Sequence, residues 1–135
     1  MPVVEGLTIA VACISLVNNV STLMLTTSEF AAKVCDANED MNRLLKELGS
    51  VKMALERLEA DGRSGNSLPR IIEQPVHSVM AACDEVVSQL QGCLKKYENS
   101  KFRYAISGQN KVLKLRSNLE VQKSALMILL HFQLA

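Results

Sequence analysis

Apolar residues recur at helical spacing along almost the whole chain, and no window alternates with the period of two that a strand would show. The clearest segment repeats an apolar residue at intervals of three and four between charged flanks, and it reads Met41, Leu44, Leu48, Val51, Leu55 and Leu58. Such a seam predicts a helix with one buried face. Two later segments have similar spacing: Val76, Val79, Cys83, Val87, Leu90, Leu94 and Tyr97, and then Val112, Leu115, Leu119, Leu126 and Leu129.

The first predicted helix, from near the N-terminus into the mid-thirties, has no charged residue between Glu5 and Glu29, a run of 23 residues. A membrane span needs roughly 20 apolar residues, so the length is sufficient. The paired Asn18 and Asn19 make the run more polar than an ordinary span, and the absence of Lys or Arg before Lys33 argues against a secretory signal. The helix is therefore expected to be buried in the protein, in a partner or, conditionally, in a membrane.

Helical phase divides this first segment into two stripes. The apolar stripe, expected to face the core, reads Val3, Leu7, Ala10, Ile14, Val17, Ser21 and Met24. The second stripe is small and uncharged except at its ends, and it reads Glu5, Thr8, Ala12, Ser15, Asn19, Thr22, Thr26 and Glu29. Small residues let another helix approach closely, in lipid as in protein. Two candidate sites follow: a membrane-insertion helix (Val3, Val4, Leu7, Ile9, Ala10, Val11, Ile14, Leu16, Val17) and a small-residue stripe (Thr8, Ala12, Ser15, Asn19).

Four amphipathic helices joined by short connections predict an all-α, antiparallel four-helix bundle, in a single domain of 135 residues. Turn-forming residues at 61–67 predict one loop, and 99–110 is expected to be a second connection. Pro69 and Pro75 each suit a helix start, so an extra short helix at 69–73 stays open. The last residues remain apolar without a capping residue, which predicts the N-terminal part of a longer protein.

Residue chemistry gives no support for catalysis. The paired carboxylates are adjacent in sequence and so cannot share a helix face. The four cysteines (Cys13, Cys35, Cys83, Cys93) lack metal-binding spacing and fall at apolar helical positions, which is typical of buried thiols in a reducing compartment. We expect a protein that is not an enzyme and that has no metal or cofactor.

Charge is distributed unevenly behind a net charge of +1. Residues 1–62 carry a net charge of −4, and residues 63–135 carry +5. The cations concentrate late in the chain, and the candidate contacts to anionic lipid are Lys95, Lys96, Lys101, Arg103, Lys111 and Lys114. A solvated surface is the plain alternative, and nucleic acid is another because Phe102 and Tyr104 interleave with the cations. Lipid ranks above nucleic acid because DNA would not explain the uncharged first helix, so no nucleic-acid partner is expected.

Four segments together resemble one known family: GLTIAVACISLVNNVSTL, LLKELGSVKMALERLE, QPVHSVMAACDEVVSQLQGCLKKY and NKVLKLRSNLEVQKSALMILL. They cover essentially the whole chain. The chain is similar to the fungal HeLo-like N-terminal domain of STAND-type NTPases (NOD-like receptors) and of related cell-death effectors. It departs from that pattern in two respects. The tryptophan before the last helix is absent, and the glycine zipper of the executioner branch is reduced to Gly6 followed by Ala10.

The resemblance implies a helical effector of fungal programmed cell death and incompatibility, whose N-terminal helix targets and permeabilises the plasma membrane on activation. It implies anionic membrane lipids, further copies of the same chain (oligomerisation) and a downstream regulatory or NTPase domain as partners. It also implies a cytoplasmic location that changes to the plasma membrane on activation. A second reading is a non-lytic signalling or oligomerisation adaptor with a permanently buried first helix. A third, weaker one is a nucleic-acid-binding bundle.

Overall fold

The computed structural model describes residues 2–34, 37–63 and 70–134, with the side chains of 9–34, 37–61 and 73–131. All regular structure in these residues is helical. The elements are α1 (Pro2–Lys33), α2 (Asn38–Arg63), α3 (Arg70–Tyr97), α4 (Lys101–Arg103), a π-helical turn (Tyr104–Gly108) and α5 (Gln109–Leu134). The predicted all-α bundle of four long helices is confirmed.

The bundle consists of two antiparallel hairpins, α1–α2 and α3–α5, packed side by side. Between hairpins the neighbouring helices run parallel. Asn19 and Thr26 of α1 bond to residues of α3 exactly 65 positions later in each case, so the register between α1 and α3 is constant. Likewise α2 lies along α5, and α1 and α5 lie on a diagonal. One end of the bundle, named here the corner end, therefore contains the α1–α2 connection, α4 and the π-helical turn.

The core contains the seams predicted for α2 and α3. All six predicted positions of α2 are buried, as are those of α3 apart from the half-buried Val79. In α5, Val112, Leu119 and Leu126 are buried, and the burial of Leu130 shows that the apolar C-terminal segment packs into its own bundle at least to that residue. Amphipathic helices gain their stability mainly from this burial, at about 1.5–3 kcal/mol for each large side chain.

The connections differ from expectation. The possible short helix at 69–73 is not separate where it is described, because α3 begins at Arg70 and continues through Pro75. Proline lacks a donor, so its place in the second turn removes one backbone hydrogen bond without ending the helix. At 61–67, α2 continues to Arg63, and the rest of that predicted loop lies outside the described residues.

The predicted connection at 99–110 is wrong over most of its length, since only residues 98–100 are non-helical. Ser100 caps the new helix because its side chain accepts a hydrogen bond of 3.2 Å from the Arg103 backbone N–H. Tyr104 then buries its ring in the core. The chain from Lys101 to Leu134 is therefore nearly one helix, interrupted in hydrogen-bond register by the π-helical turn.

Candidate membrane-contact site

The buried line of α1 differs in phase from the predicted apolar stripe. Its members recur every three or four residues and are Ile9, Cys13, Leu16, Val20, Leu23, Thr27 and Phe30, with Ala10 beside them. Of the predicted stripe, Ile14, Val17 and Met24 are only partly buried, and Val17 and Met24 pack against the edge of the core. The prediction failed because no charged side chain marks the solvent side of this helix, so its apolar positions are compatible with several phases.

The outward face of α1 is uncharged and partly apolar. Val11 is 63% exposed and Leu25 is 62% exposed, and no charge lies between them. Among the residues described, residues 9–33 form the one helix long and apolar enough to cross a membrane, judged by length and composition. One third of its apolar window is buried, a share similar to that of the other amphipathic helices of this bundle. The absence of charge from the exposed remainder therefore makes the outward face of α1 a candidate contact surface.

The described part of the small-residue stripe lies along α3, with Ala12 half-buried and Ser15 and Asn19 exposed. Asn19 donates a hydrogen bond of 3.1 Å to the Asp84 carboxylate, and the Gln91 amide donates one of 2.8 Å to the Thr26 hydroxyl. Nearer the N-terminus, a shallow groove of about 280 Å³ separates the two helices and is lined by Ala12, Ser15, Leu16, His77, Met80, Ala81 and Asp84. The α1–α3 seam is therefore held by polar bonds at its middle and loosely packed beyond them.

The threonine hydroxyls in the described part of α1 are satisfied within the helix itself. Thr22 donates to the Asn18 carbonyl at 3.0 Å, Thr26 to the Thr22 carbonyl at 3.1 Å, and the buried Thr27 to the Leu23 carbonyl at 2.7 Å. A hydroxyl bonded to the carbonyl one turn earlier leaves no donor unpaired in an apolar medium. The threonines therefore make α1 less polar than its composition indicates.

The predicted insertion residues are distributed over all sides of α1. Ile9, Ala10 and Leu16 are in the core, Val11 is exposed, and Ile14 and Val17 are half-buried. The side chains of Val3, Val4, Leu7 and Thr8 lie outside the described residues. Membrane insertion of the whole set would therefore require α1 to leave its core contacts, because one face of a packed helix cannot present all of these residues at once.

All six predicted lipid-contact cations are exposed, and within the described part of the chain none of them forms an ion pair. Three of them surround a groove of about 440 Å³ between α3 and α5, which is lined by Gln89, Gly92, Cys93, Lys96, Tyr97, Lys111, Lys114 and Leu115. Burial raises the pKa of the Cys93 thiol, while Lys111 and Lys96 lower it. The ammonium groups of Lys96, Lys111 and Lys114 around this groove place positive charge on the α3–α5 hairpin.

The structure does not bring the insertion helix and the cations together. Because α1 and α3 are parallel with a spacing of 65, Lys95 lies level with Phe30. The segment around Val11 is then about 30 Å away along the bundle axis, at 1.5 Å per residue. The cations lie at the corner end on one hairpin, and the N-terminal half of α1 lies at the other end on the other hairpin.

Two apolar residues at the corner end were not predicted as site residues. Phe102 is 75% exposed and Ile106 is 63% exposed. The sequence predicts that Phe102 lies in a loop, and it indicates no function for Ile106. One sequence pattern could have identified them: Phe102 and Ile106 are four residues apart, a spacing that places both on one face of a helix. In the structure they flank the buried Tyr104.

Comparison with protein-family models, curated proteins and solved structures gives no match for the chain. Among the described residues, no three His, Cys, Asp or Glu side chains form a group that could hold a metal ion.

Proposed function

We propose that the chain is a HeLo-like effector domain of fungal programmed cell death, which targets and permeabilises the plasma membrane once it is released or oligomerised. The uncharged outward face of α1 carries the proposal. The segment between Glu5 and Glu29 has 23 residues without a charge, and Val11 and Leu25 are exposed on the outward face of its described part. An exposed helical face of a soluble protein ordinarily carries Lys and Glu, so this face fits an apolar environment better than water.

Two further observations support a membrane rather than a fixed protein partner. The hydroxyls of Thr22, Thr26 and Thr27 already have acceptors inside the helix, so transfer of α1 to lipid leaves these three donors paired. The exposed cations without ion pairs on the other hairpin complement anionic headgroups. Activation then separates α1 from α3 and turns its apolar core residues toward lipid or toward other copies of the chain.

Dye release from vesicles containing phosphatidylserine tests this function. A comparison with a chain lacking residues 1–25 is uninformative, because that deletion removes Ile9, Cys13, Leu16, Val20 and Leu23 from the core. The substitution Val11→Glu is better, since Val11 is 63% exposed and a charge there should leave the fold intact. Val11 lies within the predicted insertion residues Val3 to Val17, and a charge in a membrane helix costs up to roughly 2.5–3.5 kcal/mol at the bilayer centre, so Val11→Glu should strongly reduce release while circular dichroism stays unchanged.

The matched control is Val11→Gln, which has the same shape as the glutamate without its charge and should retain most of the release. Absence of release by the folded wild-type chain at every lipid composition would contradict the proposal. The non-lytic adaptor would then be favoured, because α1 contributes Leu16, Val20, Leu23 and Phe30 to the core and could remain there permanently.

A further inference from the structure

Phe102 and Ile106 point away from the bundle at its corner end. Tyr104 and Gly108 are buried, and they define the inward side of the short helical segment. Phe102 and Ile106 lie two residues on either side of Tyr104, which is about 200° around a helix and therefore the outward side. Their exposures of 75% and 63% are those of side chains with almost no neighbours.

The segment that presents them is firmly held. The Tyr104 ring packs edge-on against Phe30 at 5.0 Å between centroids. The Ser107 hydroxyl donates a hydrogen bond of 3.2 Å to the Tyr97 hydroxyl, and this bond lowers the pKa of Tyr97. A Cβ added at Gly108 would lie 2.8 Å from the Tyr97 ring, so backbone and ring are in close contact. The segment that carries Phe102 and Ile106 is therefore held in place by these contacts.

The charges nearest to this pair along the chain are positive. Lys101 and Arg103 are exposed on either side of Phe102, and residues 99–119 contain no Asp or Glu. From α2, Asp40 lies near the buried Tyr104, where it accepts a hydrogen bond of 3.1 Å from the Gln109 amide. The preceding carboxylate, Glu98, lies 4.0 Å from the Lys33 ammonium group and is thereby compensated. Exposed apolar side chains framed by cations match the interface of an anionic bilayer, where rings and branched chains enter the acyl boundary and cations meet phosphates.

We propose that Phe102 and Ile106, with Lys101 and Arg103, form the docking surface through which the bundle first contacts an anionic lipid bilayer. The inference rests on the proposed function for its membrane partner, but it assigns docking to a different hairpin from α1. It also fixes an orientation: the corner end faces the lipid, and Val11 remains about 30 Å away. Docking and permeabilisation are then separate steps made by separate elements.

Tryptophan fluorescence tests the surface directly, because the chain has no tryptophan of its own. Phe102→Trp places a single reporter on the corner, Val11→Trp places one on α1, and Met53→Trp is the matched control, since Met53 is 74% exposed on α2. With vesicles containing phosphatidylserine, we expect a blue shift and quenching by brominated lipid for the Phe102→Trp reporter and neither for the Met53→Trp reporter. Vesicles of phosphatidylcholine alone should give a much smaller response.

A second pair of variants supplies affinities. The double variant Phe102→Ser with Ile106→Ser should weaken vesicle binding at least about tenfold, roughly the contribution of one buried apolar side chain. Its melting temperature should stay unchanged because both positions are exposed. The matched control is Val121→Ser, which removes a side chain of similar exposure, 63%, from α5. It should bind vesicles like the wild type.

The outcomes separate the two proposals. A shift of the Phe102→Trp reporter without dye release would support the docking surface and overturn permeabilisation. Dye release with a shifted Val11→Trp reporter and an unshifted Phe102→Trp reporter would overturn the docking surface alone. A Phe102→Trp reporter that responds to a DNA oligonucleotide but to no vesicle would overturn both and favour nucleic acid.

Discussion

Asn19 of α1 and Asp84 of α3 are joined by a hydrogen bond of 3.1 Å, and Thr26 and Gln91 repeat the connection at 2.8 Å seven residues further along each helix. Two bonds one heptad apart fix the register of α1 on α3. Both lie at exposed or partly buried positions, so each contributes only about 0.5–1.5 kcal/mol to stability. The two hydrogen bonds therefore set the register between α1 and α3 but contribute little to the free energy of unfolding.

The first prediction concerns this seam. Asp84→Ala removes the acceptor for Asn19 and should lower the free energy of unfolding by about 1 kcal/mol, while dye release becomes faster because α1 separates from α3 more readily. Asp84→Asn is the matched control, since its amide oxygen still accepts the bond. The two variants should differ in the rate of release. Equal rates would mean that separation of this seam does not limit the membrane step.

The second prediction concerns Gly108. A Cβ there would lie 2.8 Å from the Tyr97 ring and 3.0 Å from the Tyr104 ring, so Gly108→Ala should destabilise the bundle by about 1–3 kcal/mol. Gly49→Ala is the opposite case, because its Cβ would meet nothing within 4 Å on the exposed side of α2. That change should stabilise the helix by up to about 1 kcal/mol. Urea unfolding of both variants measures the difference, and a stable Gly108→Ala variant would contradict the close packing described at the corner.

The positions of charged residues decide whether the sequence predicts the buried face of each helix correctly. In α2 the charged residues between Met41 and Leu58 leave one possible phase, and every predicted core position is buried. In α1 no charge restricts the phase, and the buried line differs from the predicted stripe. The helical start at Lys101 has a local signal in its cap, Ser100, whereas the burial of Tyr104 against Phe30, 74 positions away, follows only from the fold.

The candidate site likewise has some features that the sequence predicts and others that depend on the fold. The six lipid-contact cations could be predicted to be exposed, because isolated lysines and arginines are seldom buried. Their distance from the N-terminal half of α1 could not, since it follows from the parallel alignment of α1 and α3. The outward direction of Phe102 and Ile106 likewise depends on the burial of Tyr104 between them.

The third prediction concerns the buried hydroxyl of Tyr104, which has no hydrogen-bond partner among the described residues. Burial raises its pKa to about 12, and the nearby Asp40 adds to the effect. Tyr104→Phe removes an unpaired polar group without leaving a gap, so stability should change by less than about 1 kcal/mol or rise. Tyr104→Ala should cost about 3–5 kcal/mol. A large loss in Tyr104→Phe would show that the hydroxyl has a partner.

The fourth prediction concerns alkaline pH. Burial raises the pKa of Cys13 to about 12 and that of Cys83 to about 11 from a usual value of 9.0, with smaller contributions from Glu59 and Asp84. Both thiols ionise at lower pH in the unfolded chain than in the folded one. Their contribution to stability is therefore complete below pH 9 and is lost as the pH rises through 11 to 12.

Urea unfolding at pH 8 and at pH 10.5 should show this loss. The double variant Cys13→Ala with Cys83→Ala is the control: it should be less stable at pH 8, because both side chains are buried, but it should lose less on going to pH 10.5. The same decrease in both proteins would assign the alkaline sensitivity to other groups.

The uneven charge of the two sequence halves becomes an electric dipole in the folded bundle. Residues 1–62 carry −4 and comprise α1 and nearly all of α2, whereas residues 63–135 carry +5 and comprise α3 and α5. A negatively charged surface exerts a torque on such a dipole within about a Debye length, roughly 8–10 Å at physiological salt. On the proposed docking, this torque would turn toward the bilayer the hairpin that carries Phe102 and Ile106 at its corner end, and it would keep the N-terminal half of α1 away from the lipid until the hairpins separate.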